Sequence, residues 1–180
     1  VTDRVRLSKR MSRALRHDPA RLGLELDAEG WTPVDALVRG LSAPGNPVTR
    51  ADVEDVVRHG TKQRYELDGA RIRARYGHST EGRVDLPVGD PPPVLFHGTG
   101  PATADVIARE GLRPMGRQFV HLSADEETAR RVGARHGGRP VVFVVDAPAA
   151  GASGIVFRHG NEDTWLADEV PARFLTRTDG

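Results

Sequence analysis

The sequence predicts an α+β protein of two lobes, and three observations predict it. A proline-rich segment, Arg83 to Val94 (R-V-D-L-P-V-G-D-P-P-P-V), divides the 180 residues. Its four prolines and one glycine cannot continue a helix or sit inside a sheet. Before it, three helical patterns precede a hairpin; after it, short strands alternate with helices. The expected organisation is a winged-helix-like lobe over 1–82, a linker over 83–93 and an α+β lobe over 94–180 with a mixed or antiparallel sheet.

Each element has a local cause. Asp3 can cap a helix whose apolar stripe is Leu7, Met11, Ala14 and Leu15, and Pro19 forces Asp18 out of helical geometry. Arg16 and His17 therefore occupy its last turn. A second helix is expected to open at Thr32-Pro33, as cap and first-turn proline, and a third at Thr49 with Gly60 as its stop. Arg64 to Leu67 and Arg71 to Tyr76 alternate around Asp68-Gly69, a dipeptide that tolerates the positive φ of a tight turn. Three helices and a hairpin suggest a winged helix, a fold that serves nucleic-acid binding and protein scaffolding alike.

Beyond the linker, Val94 to Phe96 reads as a strand entering His97-Gly98-Thr99, and Thr103 to Glu110 as a helix stopped at Gly111. Phe119 to Leu122 is a strand. Ser123 with Glu126 forms a capping box for a helix reaching about His136, followed by the strand Val141 to Val145. Further strands are expected at Ile155 to Arg158 and near Trp165 and Phe174.

Composition narrows the function. Hydrophobic content of 38% with charged content of 28% describes a soluble globular protein, and no apolar run nears the roughly 20 residues of a membrane helix. No secretory signal is visible. The absence of cysteine excludes disulfides and thiolate chemistry and fits a reducing, cytoplasmic setting. Residues 1–80 carry 15 Lys and Arg against 11 Asp and Glu, while residues 81–180 carry 11 against 14, so the basic charge lies in the first lobe. All but Lys9 and Lys62 are arginine, whose planar fork suits bidentate phosphate contact. Gly98-Thr99-Gly100 begins like a dinucleotide fingerprint, but Thr103 stands where the third glycine belongs. No Walker loop, nucleophile elbow or metal-ligand spacing is present, and no metal is expected.

Arg16-His17 places a cation beside an imidazole at a helix C-terminus, where the helix dipole favours positive charge. Alone, the pair reads more readily as a solvated helix end than as a grip for a phosphate, since surface charges need no special cause. The surrounding blocks decide between these: L-S-K-R-M-S-R-A-L-R-H-D-P (Leu7 to Pro19), G-T-K-Q-R-Y-E-L (Gly60 to Leu67), L-F-H-G-T (Leu95 to Thr99) and G-L-R-P-M-G-R-Q-F-V-H-L-S (Gly111 to Ser123). Together with I-R-A-R-Y-G-H-S (Ile72 to Ser79), V-G-A-R-H-G (Val132 to Gly137) and T-W-L (Thr164 to Leu166), they resemble the RNA 2′-phosphotransferase family nearly end to end.

The resemblance implies an N-terminal winged-helix lobe, a C-terminal lobe like that of ADP-ribosyltransferases, and a transferase that uses NAD as co-substrate. It implies removal of an internal 2′-phosphate from tRNA-like RNA, as at a splice junction. The phosphate attacks the nicotinamide ribose to give RNA-2′-phospho-ADP-ribose. The ribose hydroxyl then attacks the phosphate, releasing 2′-OH RNA, ADP-ribose 1″,2″-cyclic phosphate and nicotinamide. By motif position the catalytic residues are Arg16, His17, Arg64 and Arg117. NAD would be held by His97, Gly98, Thr99, His121, Leu122 and Ser123, with Arg135 and His136 as weaker candidates. Phe119, Thr164 and Arg75-Tyr76 depart from the family's usual His, Val and Asn-Gln. The alternatives are an ADP-ribosyltransferase that stops after transfer to a nucleic-acid terminal phosphate or a protein, and a non-enzymatic winged-helix RNA binder.

Overall fold

The computed structural model describes residues 3–60, 63–80 and 83–178. They form two compact units, 1–86 and 87–180. Among the described residues, six α-helices accompany two antiparallel sheets, one of three strands and one of six. Among the described residues, no helix is long and apolar enough to cross a membrane.

In the first unit, α1 (Arg4–Arg16) begins as expected: the Asp3 carboxylate accepts from the amides of Val5 and Arg6, and the stripe Leu7, Met11, Ala14 and Leu15 is buried. Satisfying amides that lack an intrahelical partner at this end contributes about 1 kcal/mol. The stripe packs against α2 (Val34–Leu41) through Leu37 and Leu41, and against α3 (Arg50–His59) through Val53 and Val56. Thr49 and Asp52 form a reciprocal capping box at the start of α3, and Gly60 ends it.

Thr32 and Pro33 do not act as cap and first-turn proline. They form the short strand β1, pairing with β3 (Arg71–Ala74), which also pairs with β2 (Tyr65–Asp68). The Val34 amide donates to the Ala70 carbonyl at 2.8 Å. A carbonyl of the β2–β3 turn thus satisfies an N–H that a cap side chain would otherwise take. Gly69, at φ 58°, turns the hairpin.

The proline-rich segment is attached at both ends. Val84 is buried, and the Asp85 amide donates to Ala28 within the first unit. In the second unit, Pro87 accepts from the His159 amide and Gly89 donates to Phe157, so this stretch runs beside β7 (Phe157–Asn161).

The sheet of the second unit also contains β4 (Val94–Thr99), β5 (Val120–Ser123), β6 (Val141–Asp146), β8 (Thr164–Ala167) and β9 (Leu175–Thr178). Its order is β7-β8-β5-β4-β6-β9, antiparallel throughout. Leu95, Val120, Leu122, Val145 and Phe157 fill its core. Two helices, α4 (Pro101–Glu110) and α5 (Glu126–Gly133), follow β4 and β5.

The expected capping box at Ser123 is replaced. Ser123 ends β5, paired with Phe96 and Thr164, and Asp125 caps α5 by accepting from the Thr128 amide at 2.7 Å. Ser123 stands two residues before the cap position, within the strand ladder, and the cap falls to Asp125. The helix ends at Gly133 rather than His136, and residues 134–136 form one tighter turn. The sequence analysis missed α6 (Ala147–Ala152), for which Asp146 is the cap and Pro148 lies in the first turn. Its signal, D-A-P-A-A, lay directly after a strand.

Candidate functional site

Arg16 is the last residue of α1 and His17 its C-cap. Folding brings the start of β2 and the segment after β3 to this helix end. The Arg16 guanidinium donates to the Arg64 carbonyl at 3.4 Å, an oxygen that also accepts from the Arg75 amide at 3.0 Å. The same guanidinium lies 5.0 Å from the Tyr76 ring and 5.9 Å from the Tyr65 ring. Two aromatic faces and a carbonyl hold a cation in place, and the ring quadrupoles favour its charge. Tyr65 is itself fixed, donating its hydroxyl to the Ser8 carbonyl at 2.6 Å.

His17 is exposed, and its Nδ1 lies 2.8 Å from the Ser79 hydroxyl. The Ser79 amide donates to the Arg16 carbonyl at 2.8 Å, supplying one of the donors that the end of a helix lacks. Between Tyr76 and Ser79, Gly77 has φ 86°. This left-handed conformation lets the chain turn past Arg16, and a Cβ here would lie 3.5 Å from the Arg16 guanidinium.

His78 is the buried member of this segment, 2% exposed. Burial, reinforced by Arg16, His17 and Arg73, lowers its pKa from 6.5 to about 4, so the ring is neutral at ordinary pH. Its Nε2 is buried with no hydrogen-bond partner among the described residues, and a side chain on Gly30 would approach it to 3.3 Å.

Arg16, His17 and the backbone of Arg64 are thus brought together within the first unit. Arg117 lies in the second, in an exposed turn closed by its amide donating to Pro114 at 3.1 Å. In that turn Met115 has φ 54°, unusual for a residue with a side chain.

The six residues expected to hold NAD fall on two adjacent strands, with His97, Gly98 and Thr99 inside β4 rather than beyond it. His97 Nδ1 donates to the His121 carbonyl at 2.9 Å, and His121 Nδ1 donates to the Phe119 carbonyl at 3.0 Å. Both tautomers are set by a backbone acceptor. Burial lowers the pKa of His97 against the opposing effect of the His121 carbonyl, and the exposed His136 lowers it further. A neutral His97 ring therefore presents Nε2 as an acceptor.

Gly98 has its own structural cause. A Cβ there would overlap the Ala129 carbonyl of α5, and one on Gly133 would come within 2.9 Å of the Thr99 backbone. The two glycines let α5 lie directly on β4. Thr103 donates to the Gly100 carbonyl at 3.2 Å, so the Thr99 hydroxyl donates to Thr103 at 2.5 Å. Leu122 is buried in the sheet core, which leaves its backbone for any ligand contact. Among the described residues, no group of three or more His, Asp or Glu side chains could hold a metal ion.

The residues departing from the family pattern have local partners. Arg75 donates to Gln63 at 2.6 Å, the Arg158 guanidinium lies 5.1 Å from the Phe119 ring, and Thr164 pairs with Ser123. Sequence reasoning did not assign roles to Tyr65, Tyr76, His78 or Ser79. The G-H-S string was visible, but its return to the end of α1 was not.

The sequence profile of the RNA 2′-phosphotransferase, Tpt1 / KptA family matches residues 2–169. The chain belongs to this family. It is a transferase, an RNA 2′-phosphotransferase. Similar proteins named "Probable RNA 2′-phosphotransferase" include one from Streptomyces coelicolor, 48% identical over 95% of this chain and 93% of the relative. Another, from Streptomyces griseus, is 47% identical over 95% of both chains, and one from Acetivibrio thermocellus is 43% identical over 97% of both.

Proposed function

We propose that the chain removes an internal 2′-phosphate from tRNA-like RNA by transferring it to NAD, releasing 2′-OH RNA, ADP-ribose 1″,2″-cyclic phosphate and nicotinamide. The observation that carries this reading is the Arg16-His17 pair at the end of α1, with the Arg16 guanidinium fixed by the Arg64 carbonyl and by the Tyr65 and Tyr76 rings. A phosphate monoester is a dianion that needs several fixed donors, and preorganised guanidinium groups supply them without reorganisation during reaction. Arg117 acts as a further phosphate donor. In this reading the first unit is a winged-helix-like lobe that binds RNA and the second an ADP-ribosyltransferase-like lobe that binds NAD.

NAD is consumed as a substrate: it accepts the phosphate through an RNA-2′-phospho-ADP-ribose intermediate. The second unit offers groups that suit it. His97 and His121 each donate Nδ1–H to a carbonyl, and the neutral His97 keeps Nε2 as an acceptor for a ribose hydroxyl. Gly98, Thr99, Leu122 and Ser123 contribute the neighbouring backbone and hydroxyl groups. His17 holds the phosphate and provides a proton in the second step.

The test is incubation of the purified chain with NAD and an RNA bearing one internal 2′-phosphate. The expected product is ADP-ribose 1″,2″-cyclic phosphate, and His17→Ala should accumulate ADP-ribosylated RNA. Phosphate loss without NAD would overturn the mechanism, and wild-type turnover by His17→Ala would remove His17 from it.

A further inference from the structure

We propose that Ser79 is a positioning residue for the transfer reaction, fixing the orientation of the His17 ring; this rests on His17 acting at the phosphate. Ser79 meets the end of α1 twice, at consecutive residues. Its amide donates to the Arg16 carbonyl at 2.8 Å, and its hydroxyl lies 2.8 Å from His17 Nδ1. The backbone bond places Ser79 and the hydroxyl bond orients the ring.

The chemistry explains why an exposed histidine needs such a partner. An imidazole on a helix cap turns about two side-chain bonds, and its two nitrogens differ in proton content. When the ring is charged, Nδ1–H donates to the Ser79 oxygen, and Nε2–H, on the opposite edge, faces away along a defined direction. Proton transfer requires that direction to be held within hydrogen-bond reach of the phosphate. Ser79 thus orients the acid, a role distinct from touching substrate.

Ser79 is itself held by the segment before it. Tyr76 stacks on Arg16, Gly77 turns the chain at φ 86°, and His78 is buried beside Gly30 and Val84. These successive residues tie the segment to the Arg16-His17 pair and to the interior of the first unit. The serine hydroxyl therefore belongs to a fixed backbone and not to a wandering loop.

The substitution Ser79→Ala isolates the hydroxyl, because the amide bond to Arg16 persists. We expect Ser79→Ala to lower kcat on the order of five- to tenfold, consistent with loss of one hydrogen bond, while KM for NAD stays at the wild-type value. Ser79→Thr keeps the hydroxyl and should restore kcat. Nitrogen-15 NMR of the His17 ring should show the Nδ1 resonance moving in the alanine variant and returning in the threonine variant. Wild-type kcat in Ser79→Ala, or an unmoved His17 resonance, would overturn the positioning role. So would failure of threonine to restore activity. Those results leave the underlying reading standing if His17→Ala is inactive; wild-type turnover by His17→Ala would instead overturn that reading.

Discussion

Acid should destabilise the first unit through His78, and a single substitution should remove that contribution. The ring is buried, with Arg16, His17 and Arg73 adding to the effect of burial, and its pKa falls from 6.5 to about 4. Above pH 6.5 both folded and unfolded states carry a neutral ring, and His78 adds no pH dependence. As pH falls from 6.5 towards about 4, the unfolded chain takes up a proton that the folded chain refuses, so stability declines. Below about 4 both states are protonated and the loss is complete. At about 1.4 kcal/mol per pH unit, the whole penalty is about 3 kcal/mol, of which about 2 is reached by pH 4.5. Urea unfolding at pH 7.0 and 4.5 in a Trp165→Phe background, where Trp31 fluorescence reports the first unit, measures it. Other groups titrate alike in both proteins, so His78→Gln should lose about 2 kcal/mol less than its parent over this range. Equal losses would refute the assignment of the acid sensitivity to His78.

Two further substitutions test the packing and the site. Gly98→Ala would drive a methyl group into the Ala129 carbonyl, and moving α5 off β4 should cost about 1–3 kcal/mol, seen as a fall in Tm of at least about 5 °C. An unchanged Tm would mean that α5 does not require the glycine. Arg16→Lys keeps the charge but loses the planar fork set against Tyr76 and the Arg64 carbonyl, so kcat/KM for 2′-phosphorylated RNA should fall at least about tenfold. A lysine variant with wild-type kcat/KM would show that charge alone suffices.

Much of the first unit was legible because its causes are local. The Asp3 cap, the stripe from Leu7 to Leu15 and the Thr49 cap each act within one or two turns, and they appear in the structure as read. Elements went astray where a distant segment took over. Pro33 begins α2 from a strand because Ala70 receives the Val34 amide, and Ser123 ends a strand because Phe96 and Thr164 lie on either side. The meaning of Gly98 also changed, since the bulk it avoids is a helix 31 residues onward at Ala129.

What the sequence determined by itself was the chemistry available: the arginine-rich first half, the Arg16-His17 pair at a helix end, and motif blocks sufficient for the family. Those follow from residue identity and short-range spacing. Only the tertiary structure decided how that chemistry is held. Arg16 meets Arg64, Tyr65 and Tyr76, and His17 meets Ser79, because β2 and the segment after β3 return to the end of α1. These contacts join residues some 50 to 60 positions apart, and their geometry comes from burying α1 against the sheet and helices of its own unit, a cooperative result that no local spacing encodes.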